Sequence, residues 1–152
     1  MNAEFDQQAA HRFFSAHCFN AAWELIDKDP RSEDDQVQML TRAMASLWHW
    51  SQRPDDEPRN RSIGYWQVSR VYALLGYGEP ARWFAQLCLE TSQNEAPFFL
   101  GYAYECLARA AALCGESEEA RRCLDEAAQL AESIADESDR QQLLADLKTI
   151  SV

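Results

Sequence analysis

The sequence predicts an all-α protein built from antiparallel helical hairpins, and three observations predict it. Nearly every long segment repeats its apolar residues at three- and four-residue intervals, which gathers them on one face of a helix. Five glycines and five prolines in 152 residues are too few for the many turns of an all-β domain. Gly76 and Gly115 stand just past the end of a periodic segment, where helices commonly finish in a left-handed residue.

About seven helices follow in order. Residues 4–28 form the first, with Phe13, Phe14, Cys18, Ala21, Ala22, Leu25 and Ile26 inward, and Asp29-Pro30 ends it. Ser32 followed by Asp35 reads as a capping box, with carboxylates filling the first turn near the positive end of the helix dipole. This second helix runs to about Arg53 with Val37, Leu40, Ala43, Met44 and Leu47 inward. The two make a first hairpin over residues 1–53, made aromatic by Trp23, Trp48 and Trp50. The stretch RPDDEPRNR, residues 53–61, has two prolines and charges of both signs and reads as an exposed connector.

Gly64–Leu75 is the third helix, with Tyr65, Val68, Val71, Tyr72 and Leu75 on one face. Pro80 suits the first turn of the fourth, which needs no N–H there, and Ala81, Phe84, Leu87 and Cys88 give its apolar face. A turn this short permits only two antiparallel helices. After a connector at Gln93–Pro97, the fifth helix runs to about Cys114. Ser117 is placed to cap the sixth, which reaches about Ser133. Ser138 followed by Gln141 marks the seventh, ending near Ile150. Leu143, Leu144, Leu147 and Ile150 can cover the preceding hairpin while Asp139, Arg140, Asp146 and Lys148 face water, which makes residues 136–150 a capping helix.

Shifted by 39 residues, the chain matches itself. Tyr65 falls on Tyr104, Val68 on Leu107, Arg70 on Arg109, Leu74 on Leu113, Gly76 on Gly115, Ala81 on Ala120 and Arg82 on Arg121. The matches include the turn and the close crossing of the helices, where hairpin geometry is tightest. The motif residues are Tyr65, Val68, Ser69, Tyr72, Gly76, Ala81 and Cys88, then Tyr104, Leu107, Ala108, Ala111, Gly115, Ala120 and Ala127. On these the chain resembles the tetratricopeptide repeat family over residues 62–133. The family period is about 34 residues, and the extra length here falls near Gln93–Leu100. Ala111 also stands where the second copy would carry tyrosine. The resemblance implies hairpins stacked as a right-handed superhelix whose first helices line a concave, partner-binding groove. It brings no activity with it.

Composition narrows the function classes. Apolar residues are 47% of the chain and aromatics 11%, which excludes a wholly disordered chain. A formal charge of −11 opposes binding to a nucleic-acid backbone or an anionic membrane. It fits a solvated acidic surface, or a basic partner. The five cysteines are odd in number and lack CxxC spacing, so reduced, buried thiols are expected. No basic region precedes an apolar run at the N-terminus, and no stretch approaches 18 apolar residues, so a cytoplasmic location is expected.

No Gly-rich phosphate loop, GxSxG or HExxH occurs. His11, His17 and His49 are too few and too widely spaced for a metal site, and no cysteine has an activating context. No catalytic residue, metal or cofactor is therefore expected. The remaining candidates are Trp66, Gln67, Arg70, Glu105 and Arg109, with His49 and Trp50. The resemblance puts Trp66, Gln67 and Arg70 in the groove from one hairpin and Glu105 and Arg109 from the next. Two stacked guanidinium groups would hold a carboxylate, and Trp66 would anchor an apolar group beside them. The alternative is that Glu105 neutralises the arginines in a structural ion pair. Three functions follow. The first is a protein- or peptide-binding module. The second is a small-molecule binder or enzyme with a pocket around His49, Arg70 and Glu105. The third is a structural homodimer or larger homo-oligomer joined through an aromatic patch.

Overall fold

A computed structural model of the protein describes residues 5–152. Seven helices and no strand occur among them: α1 (Gln7–Ile26), α2 (Glu33–Ser51), α3 (Pro58–Leu74), α4 (Gly78–Ser92), α5 (Pro97–Leu113), α6 (Ser117–Glu132) and α7 (Glu137–Leu147). The expected start of the first helix, residue 4, lies outside the described residues.

Consecutive helices pair as α1/α2, α3/α4 and α5/α6. In the first pair the antiparallel register is visible in its bonds. His11 faces His49, Ser46 donates to the carbonyl of Ser15 at 2.7 Å, and Arg42 reaches the carbonyl of Ala21. The hairpins then stack mainly by the second helix of one on the first helix of the next, α2 on α3 and α4 on α5, while α3 also packs on α5 and α1 only grazes α3. Helix α7 closes the array against both α5 and α6. The result is a layer of α1, α3, α5 and α7, backed by α2, α4 and α6.

The two later hairpins share one turn. Gly76 and Gly115 adopt φ of 81° and 78°, a left-handed conformation that an L side chain resists. In each, the glycine N–H bonds back to Ala73 or Ala112, and the following N–H reaches Tyr72 or Ala111, the paired bonds of a Schellman ending. Ala81 and Ala120, both fully buried, let the second helix of each hairpin lie close on the first. The first hairpin closes differently: Arg31 Nη1 donates to the carbonyls of Ile26 and Lys28, both at 2.8 Å, which satisfies the end of α1 with a side chain in place of a glycine.

Some element details differ from the sequence reading. Phe13, Phe14 and Val37 are exposed, not inward. The fully buried residues of the pair are Ser15, Ala22, Ala43 and Ser46 with His11 and Met39. Leu25, Ile26, Leu40, Met44 and Leu47 pack against that core as read, and the close approach at Ser15 and Ser46 leaves the rings of Phe13 and Phe14 outside. Helix α3 starts at Pro58, inside the expected connector, because proline fits its first turn. Ser117 lies inside α6, whose N-cap Glu116 makes no side-chain bond. Asp136, and not Ser138, caps α7 by accepting from Asp139 N at 2.9 Å. The capping box at Ser32 and Asp35 forms as read.

Candidate functional site

The site is built where α3, α5 and α7 meet. Glu105 is 1% exposed, and an isolated carboxylate there would be costly. Three N–H groups receive it. Trp66 Nε1 donates to Oε2 at 2.9 Å, and Arg109 donates to Oε1 from Nε at 2.9 Å and Nη2 at 2.6 Å. Arg109 Nη2 also reaches Thr149 Oγ1 at 2.8 Å and the carbonyl of Asp146 at 3.2 Å. One guanidinium group thus ties α5 to the end of α7. Tyr102 adds a second tie, its hydroxyl donating to Asp146 Oδ2 at 2.6 Å. Burial and the neighbouring Asp146 push the Tyr102 phenol well above its ordinary range, so it stays a donor.

The two arginines, equivalent by sequence, are used unequally. Arg70 Nη1 is 3.7 Å from Glu105 Oε1. That nitrogen is buried without a hydrogen-bond partner among the described residues. Burial, and next the Arg109 cation, lower the pKa of Arg70. Arg70 and Arg109 line a shallow depression with Ala73, Leu113, Thr149 and Ile150.

On the other side of this network lies an apolar cleft of about 210 Å³. Phe19 and Trp23 from α1, Trp66 from α3, and Phe98, Phe99 and Tyr102 from α5 supply its rings. Trp23 stacks on Trp66 with centroids 5.5 Å apart, and Trp66 meets Tyr102 edge-on at 5.5 Å. Asp146 is its one charged lining residue.

Of the residues singled out from the sequence, Trp66, Arg70, Glu105 and Arg109 come together here. Gln67 is fully buried and points to α1, donating to the carbonyl of Phe19 at 3.0 Å, with its Oε1 unpartnered. His49 and Trp50 end α2, which does not touch α5, so His49 is not beside Glu105. His49 Nδ1 instead lies 2.9 Å from Nδ1 of buried His11, and Trp50 carries Arg53 over its ring at 3.9 Å.

Sequence reasoning missed Phe98, Phe99, Tyr102 and Asp146. The first three had a signal, since Tyr102 is 39 residues after cleft-lining Ile63 and one turn after the Phe98-Phe99 pair. Asp146 had none. Its place was expected in water, but the turn that presents Leu143 and Leu147 to the core also carries Asp146 to Tyr102.

No group of three or more metal-ligating side chains occurs among the described residues, and no helix among them is long and apolar enough to cross a membrane. Comparison with protein-family models, with curated proteins and with solved structures yields no match.

Proposed function

We propose that this chain is a binding module whose α1/α3/α5/α7 layer receives a peptide or a segment of a partner protein. The supporting observation is the aromatic cleft: six rings border an open apolar space on one face of a stacked-hairpin array, held in place by the buried Glu105 network. Large rings that shed water on contact are the usual anchors of a binding surface. The similarity of residues 62–133 to tetratricopeptide repeats agrees with this use of the first helices. Arg70, which makes no hydrogen bond among the described residues, lines the depression on the other side of the Glu105 network and is available there to an acidic group.

The test is selection from a random peptide library, followed by binding to variants that alter the cleft and spare the network. Ile63→Glu and Phe99→Glu put charge into the cleft wall without touching Glu105. Selected peptides should lose on the order of 100-fold in affinity to either, a loss typical of a central anchor. Peptides that bind both variants like the parent protein would place recognition elsewhere.

A further inference from the structure

We propose that the aromatic cleft is a site for a methylated ammonium group, carried either by a small molecule or by a methylated lysine side chain. The inference rests on the reading of the cleft as a binding site and names the chemistry it selects. Four features carry it.

First, the wall turns through right angles. Trp66 and Tyr102 meet at 83°, Tyr102 and Phe98 at 67°, and Phe98 and Phe99 at 89°. Rings set this way turn their planes in several directions around one small space, and an aromatic face carries the negative end of the ring quadrupole. Second, the space is small. At about 210 Å³ it falls below the roughly 300–1,000 Å³ of sites for drug-sized ligands, and suits a compact group on the end of a chain.

Third, the charge is of one sign. Asp146 is the sole charged lining residue. Its Oδ2 is fixed by the Tyr102 hydroxyl, and its Oδ1 accepts no hydrogen bond among the described residues. Arg70 and Arg109 lie outside the cleft, and both face Glu105. The chain as a whole carries −11. Fourth, one ring of this wall already meets a cation from outside the cleft: the Arg59 guanidinium, which does not line the space, lies 5.0 Å from the centroid of the Phe99 ring and pairs with Glu95 at 3.1 Å. An apolar cation satisfies both demands of the cleft. Its methyl groups replace water against the rings, and its charge meets the π faces and the carboxylate.

The experiment is titration by tryptophan fluorescence and calorimetry at constant ionic strength, with four probes. Tetramethylammonium is compared with its neutral isostere 3,3-dimethylbutan-1-ol, and a trimethyllysine peptide with the same peptide bearing unmodified lysine. The proposal expects the methylated cation of either pair to bind on the order of tenfold more tightly than its control. Asp146→Asn should weaken cation binding by a similar factor and leave the alcohol unaffected. Phe99→Leu, a rim change that keeps Tyr102 and Asp146 bonded, should weaken it too, and serves if the Asn variant is poorly folded. A preference shown only by tetramethylammonium assigns a small-molecule ligand. One shown more strongly by the peptide assigns a modified partner. Equal binding of cation and alcohol overturns the ammonium assignment while leaving the cleft a binding site. Failure of all four probes, together with failure of peptide selection, overturns both.

Discussion

Trp66 and Glu105 occupy equivalent positions in successive hairpins, 39 residues apart, and the indole Nε1 of the first donates to the carboxylate of the second at 2.9 Å. The repeat is therefore bonded to itself through a position where its two copies differ in chemistry. Tryptophan supplies the donor and a cleft wall, and glutamate supplies the charge that Arg109 requires.

Removing that charge should be severe. Glu105→Ala leaves Arg109 and half-buried Arg70 without their anion, and breaking such a buried pair costs about 3–5 kcal/mol. For a chain of this length, the melting temperature should fall by roughly 6–20 °C. Trp66→Phe removes one hydrogen bond to a charged group, and about 1.5–3 kcal/mol is expected. Urea unfolding of the two variants measures both. A Glu105→Ala protein as stable as the parent would show that the network contributes nothing to the fold.

Arg70 and Arg109 should separate under substitution. Arg109 donates to Glu105, Asp146 and Thr149, so Arg109→Ala should destabilise by about 3–5 kcal/mol. Arg70 forfeits no hydrogen bond, and Arg70→Ala should change stability by about 1 kcal/mol or less. If the proposed reading holds, it should still weaken the binding of selected acidic peptides. Equal destabilisation by the two substitutions would mean that the 3.7 Å contact of Arg70 with Glu105 matters as much as the bonds of Arg109.

The turn glycines offer a test of backbone alone. A Cβ at Gly76 or Gly115 would meet nothing within 4 Å, so alanine there should cost only its left-handed conformation, about 1–2 kcal/mol. The turns lie against each other, Gly78 beside Leu113 and Cys114, so the double variant reads their coupling as its departure from the sum of the two losses. Chemical unfolding of the single and double variants checks this, and asparagine at either place should cost less than alanine.

Acid should loosen the first hairpin. Burial, and then proximity to His11, hold the pKa of His49 below its ordinary value. The unfolded chain binds a proton near pH 6.5, before the folded one does. Stability from this group is therefore complete above about pH 6.5 and declines as the pH falls toward the folded pKa. Nearby His17 brings no negative charge, and Arg53, bonded to Ser15, is paired with Asp55. Urea midpoints at pH 7.5 and 5.5 should differ less in His49→Gln than in the parent. An unchanged difference would assign the acid sensitivity to other groups.

Much of the fold was legible because it depends on local chemistry. Apolar spacing marked the helices, Gly76 and Gly115 marked the turns, and Ser32 with Asp35 marked the start of α2. Each is decided within one or two turns of chain. The α1 face was misread because apolar character alone put Phe13 and Phe14 inside, whereas Ser15 and Ser46 permit the closer approach.

The site was legible only in its repeat-related members. Trp66, Arg70, Glu105 and Arg109 stood out because the repeat aligns them, but their alignment could not say which arginine Glu105 would hold. Spacing on one helix did, since Arg109 stands four residues from Glu105, and the C-terminal end of the chain adds the Asp146 carbonyl and Thr149 to Arg109 but no hydrogen-bond acceptor to Arg70. Helix periodicity and turn glycines therefore determined the hairpins from sequence. The cleft, the approach of Trp66 and Arg70 to Glu105 and the His11–His49 contact were decided by packing, because they join residues from helices whose relative rotation no local pattern encodes.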